Sequence, residues 1–234
     1  MPVSKTDFVR GLQCEKMLWL DAHAPHLKII PPEVQARLDA GNEFGDKAMS
    51  IFGDFTETTL FKEDGKLYYA GMIEKTKLLV EQGERVICEG AFSWYGNYCA
   101  ADILKKDGDG YALYEVKNAP CVRGEFLLDL GFQRLILRKN GLKITGCFLI
   151  LNADKAEEDR GQVCDEIVEH ENLRFKIVEV TKQARIEERV AEKRIFELGK
   201  IKKKDAPLPQ IAVGEQCDCP YRCWYYEHCH QKSE

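Results

Sequence analysis

The sequence predicts an α/β domain in which a mixed sheet is flanked by helices, in the order helix, strand, strand, strand, helix, strand. Three observations predict it. Residues 85–117 hold three strand-like runs in series, each bounded by turn signals. Residues 122–139 carry apolar positions at helical spacing, and residues 143–151 form a short continuous apolar run of the kind found in buried central strands.

A chain of 234 residues can bury a core without covalent staples, and 44% hydrophobic with 31% charged residues is ordinary globular usage, so disorder is excluded as the default. The longest apolar run, Cys147-Phe148-Leu149-Ile150-Leu151, is far short of a membrane span, and Met-Pro-Val-Ser-Lys-Thr-Asp has no secretory pattern. The expectation is a cytoplasmic protein with no membrane partner. The formal net charge of -5, from 34 basic and 39 acidic residues, carries no argument for nucleic acid, which would need a local basic surface.

Each element follows from local signals. Ser4-Lys5-Thr6-Asp7 has the form of a capping box, with the short Asp7 in the place usual for Glu or Gln, and Phe8, Leu12 and Trp19 recur among polar residues. A first helix is predicted over about residues 5–20. Pro31-Pro32 opens a second, whose stripe of Leu38, Gly41, Gly45, Ala48 and Phe52 is small at its centre and predicts close approach to a sheet. Residues 71–82, stopped by Gly83, suggest a third. Residues 85–94 and 98–104 read as a hairpin turning at Tyr95-Gly96-Asn97, and a double Asp-Gly in 105–110 leads into a strand over 111–117. The helix over 122–139 places Phe126, Leu130, Gln133 and Leu137 on one stripe and stops at Asn140-Gly141. A strand near 175–180 and a charged helix over about 183–202 follow, and Pro207, Pro209 and Gly214 set off a cysteine-rich tail. The organisation expected is one domain over 1–234, whose body is followed by an extension over 153–213 and a cysteine tail over 214–230.

Alternation along a strand puts Glu115 and Lys117 on one face, and pairing through the 107–110 turn brings Asp102 alongside them. Two hard carboxylates suit a Mg2+ or Mn2+ ion that keeps several waters and takes a phosphate oxygen. Phosphodiester cleavage needs this arrangement: the ion lowers the pKa of a bound water and neutralises charge, while an ammonium orients the nucleophile or stabilises developing charge. The plain alternative is an exposed strand with an Asp and a Glu-Lys pair.

The element order, with Ala101-Asp102-Ile103-Leu104, Glu115-Val116-Lys117 and Gln133-Arg134-Leu135-Ile136-Leu137, resembles the RecB-like branch of the PD-(D/E)XK nuclease superfamily over about residues 33–152. The resemblance implies a restriction-endonuclease-like core and a metal-dependent DNA exonuclease, serving repair, recombination or defence, on a substrate with a single-stranded end. It implies that Asp102, Glu115 and the Val116 carbonyl hold Mg2+ or Mn2+, that Lys117 assists the water, and that Gln133 positions substrate or the frame of the site. Two positions depart from it. Leu137 stands where the branch has a tyrosine, and Gly45, four residues after Gly41, stands where many members carry a histidine ligand. The ion is then held by Asp102, Glu115 and Val116 alone, or Glu43 substitutes, or the site is weakened.

Ten cysteines in a reducing compartment argue against a disulfide framework. Cys88, Cys99 and Cys147 lie in apolar runs and read as core. Cys217, Cys219, Cys223 and Cys229 fall within thirteen residues, a donor set for zinc or a [4Fe-4S] cluster. With Gly11-Leu12-Gln13-Cys14-Glu15-Lys16, the tail resembles the iron-sulfur nucleases of the AddB type and the CRISPR-associated RecB-like exonucleases. This implies a [4Fe-4S] cluster on Cys14, Cys217, Cys223 and Cys229 that clasps the chain ends and leaves Cys219 free. The alternatives are a local Zn2+ site on the four tail cysteines, with Cys14 as packing, and mixed ligation by His228 or His230.

Arg123, Arg134, Arg138 and Lys139, and the lysines of 200–204, are candidates for backbone phosphates, and Trp224, Tyr225 and Tyr226 for base stacking. Two other readings stand beside the nuclease: a non-catalytic nucleic-acid-binding module on a decayed core, and an iron-sulfur electron-transfer or sensing protein.

Overall fold

The computed structural model describes residues 1–155 and 166–231. Its centre is one mixed sheet of seven strands: β1 (Thr56–Glu57), β2 (Val86–Trp94), β3 (Asn97–Asp107), β4 (Gly110–Lys117), β5 (Ile144–Asn152), β6 (Glu166–His170) and β7 (Leu173–Glu179). They lie in the order β1-β2-β3-β4-β5-β7-β6. The β1–β2 and β4–β5 pairs are parallel and the others antiparallel. The β2–β3 hairpin closes on Tyr95 and Gly96, both at positive φ (50° and 79°), as the right-handed twist of two-residue loops requires. The parallel neighbours β4 and β5 need a crossover, and α5 (Gly124–Lys139) supplies it. Two edge strands lie outside the sequence expectation: β1 is too short to show a period, and β6 is a largely exposed edge.

The capping box forms, with Ser4 accepting from the Asp7 N–H and Asp7 accepting from the Ser4 N–H at 2.9 Å, and it starts α1 (Lys5–Gln13). The helix does not continue to residue 20. Cys14 is extended (φ -160°, ψ 114°) and α2 (Glu15–His23) begins anew. Backbone bonding persists across the break, Cys14 N–H to Arg10 O at 2.8 Å and Leu18 N–H to Cys14 O at 3.2 Å, so one residue leaves the helix without stranding its amides.

Helix α3 (Pro32–Ala48) lays Phe44 and Ala48 on one face of the sheet, against Cys88, Ile103 and Ile150. Phe52 lies beyond its end, and the small stripe does not make the expected close approach. A Cβ at Gly41 or Gly45 would meet nothing within 4 Å, because this stretch borders a cavity. The other face carries α4 (Tyr69–Gln82), α5 and α6 (Thr181–Ile201), with Phe8, Leu130, Leu135 and Ile195 packed over Leu113 and Leu149. Gly131 lets α5 and α6 meet: a Cβ there would stand 2.5 Å from the Glu187 carbonyl carbon. Cys88, Cys99 and Cys147 are buried, as expected.

The tail returns to the N-terminal helices and ends in α7 (Tyr226–His230). Gln13 Nε2 donates to the carbonyls of Gln216 and Tyr221 at 2.9 and 2.7 Å, Trp19 Nε1 to Ala206 O at 2.8 Å, and the Tyr225 hydroxyl to Asp21 at 2.8 Å. Among the described residues no helix is long and apolar enough to cross a membrane.

Candidate active site and thiol pocket

The β3–β4 ladder runs from Asp107 and Gly110 to Ile103 and Tyr114 and then opens. At the next position the Asp102 carboxylate, rather than a ladder carbonyl, accepts the Val116 N–H at 2.8 Å. Strand β4 stays paired with β5 through Glu115 and Lys117, so the opening places both acids at a cavity of about 1070 Å3 between α1, α3 and the sheet.

Glu115 is the hub. It is 1% exposed, and Gln133 Nε2 donates to its Oε2 at 2.5 Å while Lys117 Nζ lies 2.7 Å from Oε1. Lys5 Nζ donates to Oε1 at 3.0 Å and Oε2 at 3.2 Å, and stands 3.6 Å from Asp102 Oδ1. Lys117 is fixed from its other side by Asp129 at 2.6 Å. Burial alone would raise Glu115, but the charges of Lys117 and Lys5, with hydrogen bonds from Lys117 and Gln133, hold it down near 2. Burial and the neighbouring Glu115 charge push Asp102 up to about 6, against the pull of Lys5 and Lys117. Burial opposes charge on both lysines, and the acids around them outweigh it and raise both. The two carboxylates of one site are thus driven apart in proton affinity.

The structure brings Asp102, Glu115, Lys117 and Gln133 together. Gln133 is fully buried and off the cavity, so it holds Glu115 and does not face substrate. Its Oε1 has no hydrogen-bond partner among the described residues. Val116 lines the cavity and gives its N–H to Asp102. Glu43 does not join them: its side chain is 71% exposed and bonded to Lys47 at 2.8 Å along the helix surface, which overturns it as a substitute ligand. Gly45 does border the cavity, so the missing imidazole leaves open space.

Three residues of the site escaped the sequence reading. Asp129 sits four residues before Gln133, on the same helical face, and that spacing was a usable signal. Glu89 is a lone acid in the apolar run of β2, at φ 55°, held there by Thr58, whose hydroxyl donates to its carbonyl. Burial and the Asp102 charge push Glu89 up to about 7. Lys5 gave no signal.

The basic candidates divide. Arg134 and Arg138 both pair with the buried Glu188 of α6, so they tie helices together and do not reach for phosphate. Lys139 pairs with Glu192 at 2.7 Å and Lys202 with Asp7 at 2.6 Å. Arg123 lines the cavity, joined by Arg37, Lys155 and Arg222, which sequence analysis did not single out. Trp224 also lines it, with the Arg10 guanidinium 3.7 Å and the Lys28 ammonium 4.8 Å from its ring centre. Tyr225 is buried in the tail and Tyr226 stacks on His230 at 3.8 Å, so neither offers a free face to a base.

Cys14, Cys217, Cys223 and Cys229 line one small pocket with Met17, Leu20 and Tyr225, whereas Cys219 is exposed and outside it. Burial raises Cys14, and it pushes Cys223 up to about 11, with the other thiols of the pocket adding to both shifts. Cys164 lies outside the described residues. Among those described, no group of three or more His, Cys, Asp or Glu side chains converges tightly enough to hold a single metal ion. No protein-family model and no curated protein matches this chain.

Proposed function

We propose that the protein is a Mg2+- or Mn2+-dependent DNA exonuclease with a restriction-endonuclease-like core of the RecB-like kind. One observation carries the reading: Asp102, Glu115 and Lys117 meet at a single cavity, with two carboxylates sharing one cationic position. The donor set fits a hard ion, since Lys5 already occupies the place between the acids as a monovalent stand-in. Two carboxylates leave the remaining positions to water and a phosphate oxygen, as magnesium prefers. Held by Asp102 and Glu115, such an ion supplies an acidified water and neutralises charge on phosphorus.

The chain's own groups do the rest. Gln133 fixes the Glu115 carboxylate, and Asp129 with Glu115 aims the Lys117 ammonium. Lys117 donates to the attacking oxygen and to the charge that grows on the phosphoryl oxygens. The attacking water gives up a proton to solvent as its oxygen bonds to phosphorus, the bond to the leaving sugar oxygen breaks, and that oxygen takes a proton from solvent. Arg37, Arg123 and Arg222 at the cavity supply phosphate contacts for a single-stranded end.

In the same reading a [4Fe-4S] cluster on Cys14, Cys217, Cys223 and Cys229 is structural. A four-iron cube takes one thiolate at each corner, so its ligands stand farther apart than those of one zinc ion. This agrees with four thiols around one pocket.

The test is degradation of end-labelled single-stranded DNA with and without Mg2+ or Mn2+. Cleavage is expected only with the ion, and Asp102→Asn and Lys117→Ala should each remove it while preserving the circular dichroism spectrum. Ion-independent cleavage that survives both substitutions would place the chemistry elsewhere. DNA binding without cleavage under any ion would favour the decayed-core reading.

A further inference from the structure

We infer that Lys5 is the resident counter-cation of the Asp102–Glu115 site: its ammonium fills the ion position, must leave when a divalent ion enters, and so sets how tightly the site binds one. The inference deepens the metal-dependent reading above and rests on it.

The geometry separates the two lysines. Lys117 stands to one side, between Glu115 at 2.7 Å and Asp129 at 2.6 Å. Lys5 instead reaches both oxygens of Glu115, at 3.0 and 3.2 Å, and Asp102 Oδ1 at 3.6 Å. A point near three oxygens of two different carboxylates is where a hard cation gathers its ligands. An ammonium and a dication cannot share it, because like charges repel and the same lone pairs are claimed twice.

The main chain at Lys5 is anchored, so the side chain is the part that moves. Ser4 and Asp7 cap the helix at this residue, Lys202 holds Asp7 at 2.6 Å, and Val3 N–H donates to Asn97 Oδ1 at 2.8 Å. The side chain is 24% exposed at the cavity, with space to swing outward. Displaced there, the ammonium meets any anionic substrate. The arrangement keeps the buried Glu115 and the half-buried Asp102 compensated when no ion is present, at the cost of weakening ion binding.

Binding of Mn2+ to the full chain, read from the electron paramagnetic resonance of free Mn2+ without DNA, tests this. Lys5→Met is expected to bind Mn2+ tighter by on the order of tenfold or more, since the attraction of the ammonium for Glu115 and Asp102, strong at these distances even at an effective dielectric of about 20, no longer has to be broken before the ion enters. Lys5→Arg, which keeps the charge, should stay close to wild type, and Lys5→Met with Asp102→Asn should lose the gain. Lys5→Gln repeats the measurement if Lys5→Met fails to fold. Equal or weaker binding by the folded, uncharged variants, beside measurable binding by wild type, overturns the inference alone. Absence of Mn2+ binding in wild type and variants alike overturns the metal-dependent reading, and this inference with it.

Discussion

Replacing Gln133 by Met tests whether the buried amide serves Glu115 or the fold. The substitution keeps length and helix propensity, so packing and backbone are nearly unchanged. It removes a hydrogen bond to an ionised, 1% exposed carboxylate, a loss of about 1.5–3 kcal/mol. It also removes Gln133 Oε1, a buried acceptor with no partner among the described residues, which returns about 1–3 kcal/mol. Glu115 keeps Lys117 and Lys5, so no charge is stranded. The two terms nearly cancel, and the net stability change should lie within about 1.5 kcal/mol, or less than about 6 °C in a chain of this size. The site should lose far more, because Oε2 of Glu115 then keeps only the longer, 3.2 Å contact from the flexible Lys5. Mn2+ affinity is expected to fall about 10–100-fold, the usual effect of removing a group that orients a metal ligand. Urea unfolding and Mn2+ titration on the same preparation measure both. A stability loss above about 3 kcal/mol with Mn2+ affinity intact would refute the reasoning and make Gln133 a purely structural residue.

Three further outcomes follow from particular contacts. Gly131→Ala should destabilise by about 1–3 kcal/mol in urea unfolding despite a helix-propensity gain near 1 kcal/mol, because its Cβ would stand 2.5 Å from Glu187 backbone; an unchanged midpoint would mean that α5 and α6 part freely. Gly45→Ala should stabilise by about 0.5–1 kcal/mol, as nothing lies within 4 Å of its Cβ, and Gly45→His should in addition raise Mn2+ affinity if an imidazole there reaches the site, whereas unchanged affinity would show it does not. In anaerobic preparations Cys14→Ala should lose iron and Cys219→Ala keep it, since only Cys14 shares the thiol pocket; full iron in Cys14→Ala, or its loss in Cys219→Ala, would reject the four-thiol clasp.

What could be read from the sequence was what local periodicity fixes. A two-residue turn sets the pairing of Asp107 with Gly110, and counting back along both strands puts Asp102 beside Glu115 with Lys117 two residues on. The helix over α5 was equally legible, since its stripe and its Asn-Gly stop are local. Cys14 was misread within a continuous helix because the residues on either side of it do form helix, and its departure is made where the tail docks. The glycine stripe of α3 failed for another reason. Small residues record the absence of a side chain, and the same absence serves a tight contact, as at Gly131, or an open cavity, as at Gly41 and Gly45. Glu89 owes its φ of 55° to Thr58, thirty-one residues away, and no pattern within β2 announces it.

Lys5 shows where such reading stops and why the site is divided as it is. The floor of the cavity, Asp102, Glu115 and Lys117, belongs to the sheet, where period and register decide position. Part of its rim comes from the chain ends, Lys5 and Arg10 from α1 and Tyr221, Arg222 and Trp224 from the tail, facing Arg37, Gly41 and Gly45 of α3. Polar ties join the ends: Gln13 to the carbonyls of Gln216 and Tyr221, the Tyr225 hydroxyl to Asp21, Met1 to Gly199 O at 2.9 Å, and Arg10 over Trp224. The apolar cluster beneath the tail is small, built on Met17, Leu20 and Tyr225, and half of its remaining neighbours are thiols, Cys14, Cys223 and Cys229, beside Trp19, Ala24 and Leu27. The floor therefore stands on core packing, and the tail's part of the rim on its polar contacts to the first two helices.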